Sequence, residues 1–208
     1  MENELKTALR AVKTALQTRS SSETDGIRAE LEALLVGATR RLPESVDIGD
    51  GIKMDDTPVT QGMWAEVLDL PPPTDGQNKP VTKVSWYQAT AFCNVRSQRD
   101  GYAPVYLFTD SSGETLTDHR VACGEVHDDI RVYESQDSDG YRLPTSEEWE
   151  RAARDGGSPD EELQFYGPAS EIAVFSVSEV TDVATKKPTS QGIHDLWGLV
   201  WEWTGRTR

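Results

Sequence analysis

The pattern of hydrophobic and polar positions predicts two helices at the N-terminal end of the chain. In residues 3–18, and again from residue 24 to about 41, aliphatic side chains recur at helical spacing and form one stripe on each segment. The polar run Arg19–Glu23 separates the two segments, and Pro43 ends the second. The stripe residues are Leu5, Leu9, Val12, Leu16, Ile27, Leu31, Leu34 and Leu35. Residues 1–43 are therefore predicted to form a helical hairpin.

A hairpin of two short helices has too little core to be stable alone, so its apolar stripe has to be covered. The cover could be the following domain, a second copy of the chain or another protein. Binding of a protein partner or self-association through the eight stripe residues is favoured, because the motifs of the following domain do not extend over residues 1–43.

Beyond a predicted linker and short strand at residues 44–57, the pattern changes to short helices mixed with short strands. Three helix starts carry the capping residues that satisfy free backbone N–H groups. They are Thr60, Ser85 with Gln88, and Thr145 with Glu148. Strands are predicted at Pro80–Trp86, 104–109, His119–Cys123 and Ile130–Tyr133, with a turn at Ser111–Glu114 and extended chain at Ile172–Val177. The fold class is α+β.

Three stretches of this region carry longer motifs. Residues 140–154 read G-Y-R-L-P-T-S-E-E-W-E-R-A-A-R, residues 80–93 read P-V-T-K-V-S-W-Y-Q-A-T-A-F-C, and residues 188–204 read P-T-S-Q-G-I-H-D-L-W-G-L-V-W-E-W-T. These strings resemble the signatures of the formylglycine-generating-enzyme family, also called the sulfatase-modifying-factor family. The resemblance covers residues 58–204 and implies a C-type-lectin-like fold of the formylglycine-generating-enzyme type.

The resemblance also implies what the family's enzymes need for catalysis. In that family a pair of cysteines that binds copper follows the W-E-W motif, and here no cysteine follows Cys123. Neither Cys93 nor Cys123 stands at a catalytic position, so no catalytic or cofactor-binding residue is assigned. We expect 58–208 to be a degenerate domain that lacks the family's C-terminal segment.

Calcium is the metal that the resemblance implies, and Glu202 is the residue that would bind it. The family's partner for this glutamate is an asparagine, and Leu199 occupies that position here. Because a leucine offers no oxygen ligand, we expect a weakened site, with Glu202 accepting a backbone hydrogen bond instead. Asp137–Gly140 is either a fragment of a calcium loop or a plain turn, and the turn is favoured.

Histidines offer a second metal hypothesis. His119 and His127, with Asp128 or Asp129, could form an iron site with two histidines and one carboxylate, although solvated histidines are the simpler interpretation. His194 stands where the family has tyrosine, which indicates a packing role. Cys93 lies on a helical apolar face and is expected to be a buried thiol. Trp197, Trp201 and Trp203 are expected in the core.

Charge and hydropathy narrow the possible partners and location. The net charge is −15, which repels nucleic acid and anionic membranes. No stretch approaches the roughly 18 apolar residues of a membrane helix. The N-terminus lacks the pattern of a signal peptide, so the expected location is the cytoplasm. An acidic decoy for a nucleic-acid-binding surface is conceivable on charge alone.

Together these features predict a non-catalytic protein- or ligand-binding module, a pseudoenzyme that could belong to a bacterial or phage defence or signalling assembly. The alternative is a formylglycine-generating oxidase, or a related metal-dependent oxygenase, whose closing segment is missing from this chain. The absent cysteine pair favours the first interpretation.

Overall fold

The computed structural model describes residues 43–116, 130–135, 137–155, 166–175 and 179–205. Pro43–Arg208 forms a compact unit. The predicted N-terminal hairpin, with all eight of its stripe residues, lies outside the described part of the chain. So do His119, Cys123, His127, Asp128 and Asp129.

The described residues form a mixed α+β fold with short elements. In chain order these are β1 (Ser45–Asp47), β2 (Lys53–Asp55), α1 (Gln61–Val67), α2 (Trp86–Asp100), β3 (Tyr106–Thr109), β4 (Thr115–Leu116), β5 (Arg131–Glu134), α3 (Ser146–Ala153) and α4 (Ala169–Ile172). Strands β1 and β2 form an antiparallel hairpin, and β3 pairs antiparallel with β4 on one side and β5 on the other. No helix in these ranges is long and apolar enough to cross a membrane.

The three predicted helix starts are confirmed. The Thr60 hydroxyl accepts a hydrogen bond from the Met63 amide at 3.2 Å and caps α1. Complete capping boxes begin α2 and α3. In each, the side chain of the cap residue accepts from the backbone N–H of the third helical residue, whose own side chain accepts from the backbone N–H of the cap. Helix α2 ends at Gly101, which has a left-handed φ of 84° that glycine adopts without strain.

Two apolar clusters pack against α2. One joins α2 to the three-stranded sheet through Ala91, Tyr106 and Phe108, which are fully buried. The other joins α2 to α1, where the Trp64 and Phe92 rings stack with centroids 4.8 Å apart. Helix α2 is therefore the central element of the described domain.

A third cluster attaches the β1–β2 hairpin to α3. Ile48 of the hairpin packs against Ala152 and Ala153 of α3 and against Ile193 and Leu196. The stretch predicted as linker and short strand thus contains a hairpin that contributes to the core. Its alternating pattern is too short to show this from sequence.

Two predicted extended segments differ in the structure. Pro80–Trp86 forms no strand and makes only an isolated bridge from Pro80 to Thr60, because Lys83 adopts a left-handed φ of 60° that turns the chain before the helix cap. Ile172 ends the short helix α4 and does not begin a strand; Val174 then bridges Gly198 in parallel. Residues 176–178 lie outside the described ranges.

Candidate ligand-binding cleft

A wide cleft of about 1040 Å³ opens between the hairpin, helices α1 and α2, and the segment that follows residue 193. This volume would hold about 35 water molecules at roughly 30 Å³ each. Much of the lining is apolar, including Met54, Trp64, Phe92, Leu143, Leu196 and Trp203. Because protein interiors are close-packed, a recess of this size at the meeting point of core clusters is a candidate ligand-binding site.

The first polar feature of the cleft wall is the Arg96 guanidinium. It contacts the Asp55 carboxylate through two atoms, at 2.6 and 3.1 Å. It also lies over the Tyr141 ring, 3.9 Å from the ring centre. This arrangement connects α2, β2 and the loop before α3. It fixes the shape of one side of the cleft.

The second polar feature is a bidentate ion pair between Arg142 and Glu148, with contacts of 2.6 and 2.7 Å. The hydrogen bond from Arg142 lowers the pKa of Glu148 below its usual value. One carboxylate oxygen of Glu148 also accepts from the Thr145 amide at 2.8 Å, which completes the capping box of α3. Since both charges satisfy each other, this pair has a structural role.

Two tryptophans form the rim of the cleft, and here the expectation that they belong to the core is wrong. Trp201 is 103% exposed relative to a free residue, and Trp203 is 50% exposed. The chain turns sharply at Gly198 (φ 89°) and Leu199 (φ 60°), so the following residues run along the rim and not into the core. Trp203 is held there by its indole N–H, which donates to the Val84 carbonyl at 2.9 Å. Trp197 does pack against the third cluster, as expected.

Glu202 lies between these tryptophans and lines the cleft. The residue reaches solvent through the mouth of the cleft, but the surrounding walls desolvate its carboxylate and raise its pKa to about 7. The buried Trp149 indole N–H favours the ionised form without reaching hydrogen-bond geometry, and Asp195 opposes it by charge repulsion. The backbone hydrogen bond expected for Glu202 is not formed with any residue that the structure describes.

The remaining sequence-predicted residues take structural roles. His194 is half-buried, and its Nδ1–H donates to the Lys186 carbonyl at 2.9 Å, which agrees with a packing role. Cys93 is buried and forms no disulfide with a described residue, which agrees with the expected buried thiol. Asp139 accepts from the Ala103 amide at 2.9 Å, and Ser138 donates to the Pro104 carbonyl at 2.8 Å. Asp137–Gly140 is thus a plain turn in the structure.

The residues around Glu202 do not fit the calcium site that the resemblance implies. Leu199 provides no side-chain oxygen where the family has asparagine. Within the described ranges, no group of three or more histidine, cysteine, aspartate and glutamate side chains is placed to hold a metal ion. A copper site built on two thiols has one described candidate, Cys93, which lines the cleft and is 7% exposed.

Leu199 is also strained, which leads to a prediction about stability. A leucine at φ 60° brings its Cβ close to the following carbonyl, at a cost of about 1 kcal/mol, whereas asparagine tolerates this conformation. We expect Leu199→Asn to raise the free energy of unfolding by about 0.5–1 kcal/mol. Urea denaturation measures it, with Val200→Asn as the neighbouring control because Val200 has no left-handed φ. A loss of stability in Leu199→Asn would contradict the strain argument.

Glu202 gives a prediction about pH. Its folded pKa of about 7 lies above its ordinary value of 4.5, so the folded protein holds this proton more tightly than the unfolded chain does. Stability should therefore fall as the pH rises from 4.5 to 7, and then level off. We expect Glu202→Gln to remove this fall and to be more stable than wild type above pH 7. The free energies of unfolding of Glu202→Gln and wild type should converge near pH 4.5.

Urea midpoints measured across that pH range give the test. Glu179→Gln is the control, because Glu179 is exposed and lies outside the cleft. Parallel pH curves for Glu202→Gln and wild type would show that the cleft does not desolvate the Glu202 carboxylate.

Sequence reasoning missed most of the cleft. No sequence motif assigns a role to Arg96, and its partner Asp55 lies 41 positions away. Tyr141 was read as part of a motif and not as the ring beneath a guanidinium. A signal existed only for Glu202 and the two tryptophans, which stand together in the W-E-W string.

Comparisons with known proteins agree with this fold. The family model described as "Sulfatase-modifying factor enzyme 1-like domain" matches residues 27–207, so the match begins inside the segment predicted as a hairpin. The protein named "Chaperone protein LppX" from Paenibacillus barcinonensis is 31% identical over 167 residues, which cover 70% of this chain and 58% of LppX. The chain thus spans somewhat more than half the length of that relative.

Two solved structures are also similar. Treponema denticola variable protein 1 superimposes with a TM-score of 0.57 at 24% identity, covering 81% of this chain and 73% of its own. CarF superimposes with a TM-score of 0.55 at 25% identity, covering 80% and 76% respectively. Since the family model spans most of the chain and the motifs coincide with its capped helices, this protein belongs to the sulfatase-modifying factor enzyme 1-like domain family.

Proposed function

We propose that the chain is a non-catalytic binding module that holds a polypeptide partner in the cleft. The observation that carries this proposal is the open recess of about 1040 Å³ with the fully exposed Trp201 on its rim. Large aromatic side chains that lie in solvent beside an apolar recess are typical of protein recognition sites. An exposed tryptophan contributes nothing to the core, so its position on the rim suits a ligand.

The charged side chains of the cleft favour recognition over catalysis. Among the described residues that line it, Arg96 is paired with Asp55 and Arg142 with Glu148. The one described thiol, Cys93, is buried. Both arginines are therefore engaged in ion pairs that hold the wall of the cleft.

The name of LppX also favours a polypeptide partner, since a chaperone acts on polypeptide chains. We also propose a second contact surface on residues 1–43, whose apolar stripe would bind a protein partner or a second copy of the chain. A role in a bacterial or phage defence or signalling assembly is also part of the proposal. Calcium is not required for the proposed binding.

An unfolded polypeptide tests the proposed function directly. We expect reduced and carboxymethylated lysozyme, labelled with a fluorophore, to raise its anisotropy when the full chain is added. Trp201→Asp should weaken this binding at least tenfold. The matched control is Tyr133→Asp, because Tyr133 is 52% exposed and lies on β5, away from the cleft. Equal binding by the two variants, or none by wild type, would refute the proposal.

Family membership also supports a second candidate function. In this alternative the chain is a formylglycine-generating oxidase that a further segment or chain completes. The test is incubation of the protein with a Cys-x-Pro-x-Arg peptide, copper and oxygen. Detection of an aldehyde on the peptide cysteine by mass spectrometry would favour this alternative. An unchanged peptide mass favours the binding module.

A further inference from the structure

The segment Trp201–Trp203 is held at both ends but is unpaired in the middle. The Val200 amide donates to Gly198, and the Gly205 amide donates to the Pro144 carbonyl at 2.8 Å. Trp86 fixes the same end, since its indole N–H donates to the Thr204 carbonyl at 3.1 Å. Between these anchors, the backbone N–H and C=O groups of the three residues have no hydrogen-bond partner in the described part of the chain.

A row of unpaired backbone groups at a surface readily accepts another chain. Peptides that bind in this way gain affinity from main-chain hydrogen bonds and specificity from side-chain recesses. Here the anchors at Val200 and Gly205 hold the segment in place beside the cleft before any ligand arrives, which lowers the entropic cost of pairing. Free backbone groups and a neighbouring apolar recess thus occur at one place.

The side chains of the segment determine which residues such a chain would carry. The indole of Trp201 is fully exposed, so it can contact apolar side chains and, through its ring face, a lysine or arginine. Glu202 places a carboxylate in the cleft, with the Asp195 carboxylate near enough to repel it. A basic side chain would relieve this repulsion, and an acidic one would increase it. The net charge of −15 also favours a basic ligand.

This inference rests on the proposed function. We propose that the ligand is an extended polypeptide segment that carries lysine or arginine between apolar residues. Its main chain forms hydrogen bonds with the main chain of Trp201–Trp203. The Glu202 carboxylate accepts from the basic side chain, and the apolar side chains on either side of it, which point to the other face, contact Trp201 and Trp203.

A capped eight-residue peptide in which valine alternates with lysine is the probe, and calorimetry with the full chain is the measurement. In an extended chain, the N–H groups of successive residues point to opposite edges, so those of alternate residues share one edge. We therefore compare two peptides, N-methylated at the valines or at the lysines. We expect one of them to bind at least tenfold more weakly than the unmethylated peptide. If both bind as tightly as the parent peptide, main-chain pairing is refuted while binding in the cleft stands.

Two further measurements test whether the ligand needs a basic side chain and whether it binds at Trp201–Trp203. Replacing the peptide lysines by glutamates should weaken binding at least tenfold, and Glu202→Gln should reduce that preference. Equal affinity for both peptides would refute the basic-ligand part of the proposal. Hydrogen exchange at Trp201–Trp203 should be fast in the free protein and at least tenfold slower with peptide. Protection that grows with protein concentration alone would show that a second copy occupies the segment, against the proposal.

Failure of the proposed function gives a different result. In that case neither the carboxymethylated lysozyme nor any of the peptides binds, and exchange at these amides is unchanged. Binding of the lysozyme chain without any effect of N-methylation or of peptide charge would refute this inference alone.

Discussion

Replacing Gly140 by alanine is expected to lower the free energy of unfolding by about 3 kcal/mol, which is a large share of the stability of a small domain. A Cβ at this position would overlap the Ala103 carbonyl oxygen and would lie 2.5 Å from the Ser97 hydroxyl and 2.9 Å from the Ser97 Cβ. Ser97 cannot move away easily, because its hydroxyl accepts from the Tyr141 amide and donates to the Cys93 carbonyl, each at 2.8 Å. The added methyl group therefore has no free space.

Urea denaturation of Gly140→Ala measures this cost. The matched control is Gly113→Ala, whose Cβ would meet no atom within 4 Å but whose φ of 85° is left-handed. We expect the control to lose only about 1 kcal/mol, from backbone strain. If Gly140→Ala were no less stable than Gly113→Ala, the close approach between the Gly140 loop and α2 would not be rigid.

This glycine illustrates what the sequence could predict. It opens the G-Y-R-L-P-T string, and the string predicted the start of α3 correctly because a capping box depends on residues three positions apart. The same locality explains the correct caps of α1 and α2. The string did not reveal why its first residue is glycine, since the atoms that exclude a side chain belong to Ser97 and Ala103, far away in the chain.

The rim tryptophans show the opposite case. Hydrophobicity alone placed Trp201 and Trp203 in the core, but the left-handed residues Gly198 and Leu199 direct the chain along the rim. A leucine in that conformation gives no warning in the sequence, because the left-handed region favours glycine and asparagine. Whether Trp201 and Trp203 are buried therefore depends on a backbone turn that the residue types in the sequence do not predict.

The cleft itself is a product of tertiary structure. Its walls come from the hairpin, α1, α2 and the segment after Ile193, and no local pattern places these elements around a common space. Family motifs predicted the elements and their order but not the ion pair of Arg96 with Asp55 that shapes one wall. Local patterns therefore predict the fold class and point to Glu202, while the recess depends on contacts between residues that lie far apart in the chain.

Glu148→Gln is expected to cost about 2–3 kcal/mol, because it removes one charge of a largely buried ion pair and leaves Arg142 unpaired beside the cleft. The Glu148 carboxylate makes both contacts to Arg142 and accepts from the Thr145 amide. A glutamine can accept only one of the two guanidinium hydrogen bonds, since its NH₂ group would face another donor. The start of α3 and the Arg142 loop should therefore loosen together.

The pH dependence separates this electrostatic loss from a simple packing defect. Arg142 lowers the pKa of folded Glu148 below the ordinary value of 4.5. A carboxylate with a lowered folded pKa stabilises the protein fully above 4.5 and loses that contribution as the pH falls through the folded value. Wild type should thus be more stable than Glu148→Gln at pH 7, and the difference should shrink below pH 4.5.

The control is Glu147→Gln, the exposed neighbour in the same first turn of α3, which makes no ion pair in the described part of the chain. It should lose no more than a few tenths of a kcal/mol from its interaction with the helix dipole. If the cost of Glu148→Gln persisted unchanged at pH 3, the cause would be a disturbed capping box and not the lost charge. A pH-dependent cost would instead identify the Arg142–Glu148 pair as the electrostatic link between α3 and the wall of the cleft.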